Sequence, residues 1–77
     1  MKAQTLNEIW QDMKKLLGFK DALHQTIVHE DIKEVHVDVA RGLLSTVRHA
    51  IEDSDKKDTP EGQTLLERID NAMEKEI

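Results

Sequence analysis

Cysteine and tyrosine are absent from this 77-residue chain, and its only aromatic side chains are one tryptophan and one phenylalanine. Without cysteine, neither a disulfide nor a thiolate metal site can supplement the hydrophobic core. A domain of this size buries only about 60 to 65% of the surface that its unfolded form exposes. The core is therefore thin, and association with a protein partner or with a second copy of the chain is a natural remedy.

Long hydrophobic runs and an excess of basic charge are also missing. No stretch approaches the roughly 18 apolar residues of a membrane span, and the first residues lack the plan of a secretion signal, so we expect a cytoplasmic protein. The chain carries 11 Lys and Arg against 16 Asp and Glu, a formal net charge of -5. Affinity for a phosphate backbone comes mainly from Lys and Arg, so this balance argues against direct binding of nucleic acid.

Motifs for catalysis and cofactor binding are missing as well. The three glycines, Gly18, Gly42 and Gly62, are isolated from one another, so no glycine-rich phosphate loop exists. No serine stands in a Gly-x-Ser-x-Gly elbow. The four histidines do not form the Glu-x-x-His or His-Glu-x-x-His patterns of metal sites. We therefore expect a protein that is not an enzyme and that has no cofactor or metal.

What the chain does contain is apolar residues at spacings of three and four, the period of one helix face. Thr5-Leu6-Asn7-Glu8 has the form of a capping box, which predicts a first helix of about 13 residues that starts here. Gly18 supplies the left-handed position that ends many helices. The predicted apolar face of this helix consists of Leu6, Ile9, Trp10, Met13, Leu16 and Leu17.

Two further helices are predicted in the middle of the chain. A weaker apolar spacing indicates a short second helix over residues 20–30. Asp31 then has the form of an N-cap for a long third helix over residues 32–51. Gly42 lies inside this helix at a cost of about 1 kcal/mol, which indicates close approach by another backbone or a small kink. The predicted apolar stripe of the third helix consists of Ile32, Val35, Val39, Leu43, Val47 and Ala50.

A β-hairpin competes with this interpretation. Residues 35–39 alternate between apolar and polar side chains as a strand does, and residues 26–29 offer a second strand to pair with them. A lone two-stranded ribbon is marginally stable, and the apolar stripe continues unbroken through Leu43, so we prefer the helix.

The last helix has the plainest start signal. Residues 52–58 form a polar connector, Thr59 is a suitable N-cap, and Pro60 suits the first helical position. Its predicted stripe is Leu65, Leu66, Ile69, Ala72 and Met73. A connector this short places the last two helices side by side and antiparallel. The sequence thus predicts one all-α domain over residues 1–77, a small antiparallel bundle of three to four helices.

Six residues are candidates for an interface with a partner or a second copy. Tryptophan dominates many interfaces, two histidines spaced by seven would share one side of a continuous helix, and two arginines with the same spacing would share an exposed side. A lysine beside the tryptophan belongs to a first helix more basic than the later ones. The six residues are Trp10, Lys14, His29, His36, Arg41 and Arg48.

These observations favour a small acidic protein-binding module, a regulator or inhibitor that acts through a helix face. Architecture alone suggests an alternative, an immunity-type protein that protects against a toxin or bacteriocin. A DNA-binding regulator is a further alternative, and it would need a basic recognition helix that the acidic balance does not provide.

Overall fold

The computed structural model describes residues 1–19, 26–29 and 31–75. Within these residues the α-helices are α1 (Ala3–Leu17), α2 (Val37–Glu52) and α3 (Pro60–Lys75), and a 3-10 turn, Asp55–Asp58, lies between α2 and α3. Each α-helix packs against the other two. The predicted all-α bundle is therefore confirmed. Among the described residues, no helix is both long enough and apolar enough to cross a membrane.

The contacts between helix ends give the directions of the helices. Leu16, near the end of α1, and Pro60, at the start of α3, line the same recess. Thr5, near the start of α1, and Lys75, at the end of α3, line another. These two helices therefore run antiparallel. The starts of α1 and α2 lie at the same end of the bundle, because residues 33–35 hydrogen-bond to residues 1–3.

All three α-helices contribute to one core, and two residues between α1 and α2 complete it. A helix face that repeats apolar residues at three and four positions can hide them all against its neighbours. The buried apolar residues are Ala3, Leu6, Ile9, Met13, Val28, Val35, Ala40, Leu44, Val47, Ile51, Leu65, Ile69 and Ala72.

α1 begins before the predicted capping box, so the predicted start at Thr5 is wrong. The N-cap is Lys2, whose side chain makes no capping hydrogen bond. The N–H of Ala3 donates to the carbonyl of Lys33, with 2.9 Å between nitrogen and oxygen. Backbone from a distant part of the chain thus satisfies a donor that the helix itself leaves open, and no capping side chain is needed there.

The end of α1 is as predicted. Gly18 has the left-handed backbone angle φ of 79°, which an L side chain adopts only with strain. The N–H of Phe19 donates to the carbonyl of Lys14 at 2.9 Å, and the N–H of Gly18 donates to that of Lys15 at 3.3 Å. This pair of bonds is the Schellman motif, which satisfies carbonyls at the helix end.

The predicted second helix, residues 20–30, lies largely outside the described residues, and its described part, residues 26–29, is not helical. An asparagine fixes this part to α1. The side-chain oxygen of Asn7 accepts from the N–H groups of Ile27 at 3.2 Å and Val28 at 3.0 Å. Its side-chain nitrogen donates to the carbonyl of Val28 at 3.2 Å. Val28 is consequently held in the core.

The predicted third helix starts too early, and the hairpin alternative is also wrong. α2 begins only at Val37, and the described residues before it are not helical. Residues 33–35 pair with residues 1–3 instead of with residues 26–29: an isolated antiparallel bridge joins Lys2 to Glu34. The N–H of Val35 donates to the carbonyl of Met1 at 2.8 Å.

The buried face of α2 differs from the predicted stripe. The helix buries Ala40, Leu44, Val47 and Ile51. Of the predicted stripe, only Val35 and Val47 are buried, whereas Val39 is 54% exposed and Leu43 and Ala50 are half-buried. The helix therefore has two apolar faces. The predicted stripe follows the face with Val39, Leu43 and Ala50, which the fold does not bury fully.

The start of α3 is confirmed. The side-chain oxygen of Thr59 accepts from the N–H of Gly62 at 3.1 Å, as an N-cap does, and Pro60 is the first helical residue. Gly62 is needed for packing, because a Cβ atom there would overlap the carbonyl oxygen of Lys56. Gly42 differs: no atom lies within 4 Å of a Cβ built there, so the chain itself does not supply the predicted close approach.

These two glycines predict opposite effects of the same substitution. Gly42→Ala should raise the free energy of unfolding by about 0.5 to 1 kcal/mol, because it removes backbone freedom from the unfolded chain and meets no neighbour. Gly62→Ala should lower it by about 1 to 3 kcal/mol, because the backbone of the 3-10 turn must move. Urea unfolding of the wild type and both variants checks this. A Gly62→Ala protein as stable as the wild type would contradict the described contact between the turn and α3.

Candidate functional site

The six predicted interface residues differ widely in exposure. Lys14 is fully buried, and Trp10 and Arg48 are half-buried. His29, His36 and Arg41 are exposed. A continuous helix does not join the two histidines, because residues 31–36 are not helical. The six residues therefore lie in different local environments.

Trp10 and Lys14 form one contact, one helical turn apart on α1. The Lys14 ammonium lies 5.6 Å from the centre of the Trp10 ring, within the range of a cation–π interaction. The indole Nε1 of Trp10 is buried and has no hydrogen-bond partner among the described residues. Burial lowers the pKa of Lys14 from its ordinary value of 10.5, because removal from water disfavours the charged form. Lys14 is therefore buried in the bundle, and Trp10 packs against the core with part of its surface exposed.

His29 and His36 adopt the same local structure. In each, the imidazole Nδ1 accepts a hydrogen bond from the backbone N–H two residues later, that of Asp31 or Asp38, and both distances are 3.2 Å. The carboxylate of that aspartate lies 3.5 Å from Nδ1 in the first case and 4.0 Å in the second. His36 is also the N-cap of α2. Neither Thr5 nor Asp31, the predicted caps, is the N-cap of a described helix. α2 is capped instead by a histidine, which the sequence did not predict.

Arg48 is committed to contacts within the bundle. Its Nε donates to the carboxylate of Glu52 at 2.7 Å, and its Nη1 donates to Asp70 of α3. The hydrogen bond from Arg48 lowers the pKa of Glu52 below its ordinary value of 4.5, and the hydrogen bond to Glu52 raises the pKa of Arg48. A second pair, Arg68 with Asp12, joins α3 to α1. These arginines therefore hold helices together.

A recess of about 980 Å³ lies beside α1. Its lining combines residues 32–34 and Arg68 with charged and amide side chains of α1. Both positive and negative side chains line it. Across residues 1–19, 26–29 and 31–75, no three His, Cys, Asp or Glu side chains are close enough together to hold a metal ion.

The most distinctive surface is the second apolar face of α2. We call it the α2 stripe and define it as Val39, Leu43, Thr46 and Ala50. At about 100° per residue these four lie within one narrow sector, about a quarter turn from the buried face. Val39 and Thr46 are exposed, and Leu43 and Ala50 are half-buried. None of the four is charged, although 35% of the chain is.

Three of these residues, Val39, Leu43 and Ala50, belong to the stripe that the apolar spacing predicted as the core face of this helix. Two interleaved sets of apolar residues, 39/43/50 and 40/44/47/51, run along α2. The signal that could have revealed the second face is the total apolar width of the helix, which exceeds what one buried face requires. α2 has two neighbours, α1 and α3, and they cover Leu43 and Ala50 in part but leave Val39 and Thr46 exposed.

A comparison with models of known protein families, with curated proteins and with solved structures found no match.

The buried lysine predicts a specific pH dependence. The pKa of Lys14 is lowered on folding, so the unfolded chain binds more protons than the folded chain in the alkaline range below 10.5. The free energy of unfolding therefore gains a contribution that grows as the pH rises through that range. Lys14→Met should remove this contribution. The free energy of unfolding should therefore increase less from about pH 8 to about pH 10 in this variant than in the wild type.

Lys15→Met is the matched control, because Lys15 is the next residue along α1 and is exposed. Urea unfolding of the three proteins at both pH values supplies the comparison. Parallel profiles for the wild type and Lys14→Met would show that Lys14 is not buried as described.

Proposed function

We propose that this protein is a non-enzymatic binding module, a small regulator or inhibitor that docks the α2 stripe against a helix of another protein. The observation that carries the proposal is the second apolar face of α2. The fold already buries Ala40, Leu44, Val47 and Ile51 of this helix. Leu43 and Ala50 pack only partly against the core, and Val39 is 54% exposed. Uncharged apolar surface that stays exposed on a polar protein is typical of interaction sites.

The spacing of the stripe suits a helical partner. Its members are separated by four, three and four residues, the repeat by which one helix lies along another. From Val39 to Ala50 the stripe is about 17 Å long, or about three turns. Thr46 and Ala50 are small, and Gly42 at the margin has open space around it. A partner helix can therefore approach closely.

The energetics of docking are favourable because no charge has to be stripped of water. Covering the exposed half of Val39 contributes about 1 kcal/mol, and Leu43 and Ala50 add smaller amounts. The polar residues of α2, among them Arg41 and His49, lie on the other exposed side of the helix and remain in water. A burial of this size fits a modest, reversible interaction unless the partner adds contacts beyond the stripe.

The charges beside the stripe define the partner further. Asp38 directly precedes the first stripe residue in the sequence, Asp53 follows the last one by three positions, and both are exposed. The whole chain carries a net charge of -5. A partner helix with Lys or Arg beside its apolar face is complementary to these two aspartates. A second copy would bring the same acidic residues and the same net charge into the contact. We therefore assign the stripe to a different protein with a basic, amphipathic helix.

A pair of lysine substitutions on α2 tests this proposal. Thr46→Lys places a charge in the centre of the stripe, whereas His49→Lys places the same residue one turn away on the polar side, and both positions are exposed. Purified wild type and both variants are used as bait in an extract of the cells that produce the protein. We expect one stoichiometric protein with the wild type and with His49→Lys, and at least a tenfold loss with Thr46→Lys.

The other results contradict the proposal in distinguishable ways. Equal recovery by all three baits would show that the interaction uses another surface. If none recovers a partner and the wild type sediments as a dimer that Thr46→Lys converts to a monomer, then the occupant of the stripe is a second copy. Circular dichroism of each bait establishes that the substitutions leave the fold intact.

A further inference from the structure

The cap of α2 is a histidine, and it lies one turn of backbone before the most exposed residue of the α2 stripe. We propose that protonation of His36 loosens the first turn of α2 and thereby weakens docking through the stripe, so that binding is switched off in mildly acidic conditions. This inference rests on the proposed function, since it concerns regulation of the same surface.

The capping geometry requires an unprotonated nitrogen. Nδ1 of His36 accepts from the N–H of Asp38 at 3.2 Å. An imidazole nitrogen accepts a hydrogen bond only through its lone pair, so the proton of the neutral ring must be on Nε2. Histidine is the side chain that ordinarily gains its second proton between about pH 8 and pH 5. The cap can therefore exist in the neutral ring and is lost in the charged ring.

Protonation has two effects on the start of α2. The N–H of Asp38 loses its acceptor and becomes one of the open donors of a helix N-terminus. A positive charge also appears at the end of the helix where the backbone dipole is positive, which is the unfavourable arrangement. Val39 lies in this same first turn. Loosening the turn thus acts on the stripe residue with the largest exposed apolar surface.

The charged groups described beside His36 lie on its own segment and on residues 1–2, which pair with that segment. The carboxylate of Asp38 lies 4.0 Å from Nδ1, and both side chains are largely exposed. Glu34 lies two residues earlier, and its carboxylate is 3.6 Å from the amino group of Met1 on the segment paired with it. Lys2 is the bridge partner of Glu34. An exposed ion pair between the charged ring and Asp38 contributes little, because water and salt screen it.

Two asparagine variants isolate the titrating group. His36→Asn keeps a good N-cap acceptor that does not titrate. His49→Asn removes a histidine from the same helix that has no hydrogen bond to its ring among the described contacts. Unfolding in urea is measured for the wild type and both variants at about pH 7.5 and about pH 5. Relative to His36→Asn, acidification should increase the unfolding equilibrium constant of the wild type and of His49→Asn by about twofold or more, the low end of what an N-cap contributes.

The binding arm repeats the capture experiment at both pH values. We expect the wild type to lose the partner at about pH 5 and His36→Asn to retain it. The same pH dependence of unfolding in the wild type and His36→Asn would overturn the switch, while capture at neutral pH would leave the proposed function standing. If unfolding behaves as expected but no bait captures a partner at either pH, the proposed function fails and the regulation fails with it.

Discussion

The backbone pairing between residues 1–3 and residues 33–35 is the constraint on which the rest of this structure depends. It gives the first N–H of α1 its acceptor, the carbonyl of Lys33, and it gives the N–H of Val35 an acceptor at Met1. Residues 33–35 are thereby held in an extended conformation, and α2 cannot begin before they end. The pairing also brings the starts of α1 and α2 to the same end of the bundle.

The position of that pairing determines which face of α2 is buried. A continuous helix from residue 32 would align Ile32 and Val35 with Val39 and Leu43, and this larger set would be the natural core face. Once residues 33–35 are extended, Ile32 and Val35 no longer take part in the helical repeat. Ala40, Leu44, Val47 and Ile51 then fill the core, and the set that contains Val39 remains at the surface.

The sequence predicts those features whose cause is local. Gly18 ends α1 and Thr59 with Pro60 starts α3, because each signal needs only the few residues around it. The apolar faces of α1 and α3 are recovered for the same reason. The starts of α1 and α2 are missed, because their donors are satisfied by residues about thirty positions away or by a histidine, which is an uncommon cap.

The burial of Lys14 is another feature that the sequence does not predict. Its charge predicts a solvent-exposed position, yet the bundle covers it beside Trp10. Trp10 is the aromatic residue that packs against this thin core, whereas Phe19 is exposed. Few large side chains are therefore present to close the core surface, and the long aliphatic part of a lysine can serve in their place. The candidate site is likewise a consequence of tertiary structure: the apolar width of α2 is visible in the sequence, but which half stays uncovered is not.

The pairing of residues 1–3 with 33–35 can be measured directly by nuclear Overhauser spectroscopy of the protein in solution. Lys2 and Glu34 stand opposite each other in a non-hydrogen-bonded antiparallel pair, in which the two Cα atoms are about 4.5 Å apart. We expect a strong cross-peak between the Hα protons of these two residues. Sequential helical cross-peaks that run without a break from residue 32 into α2, with no cross-peak between Lys2 and Glu34, would contradict it.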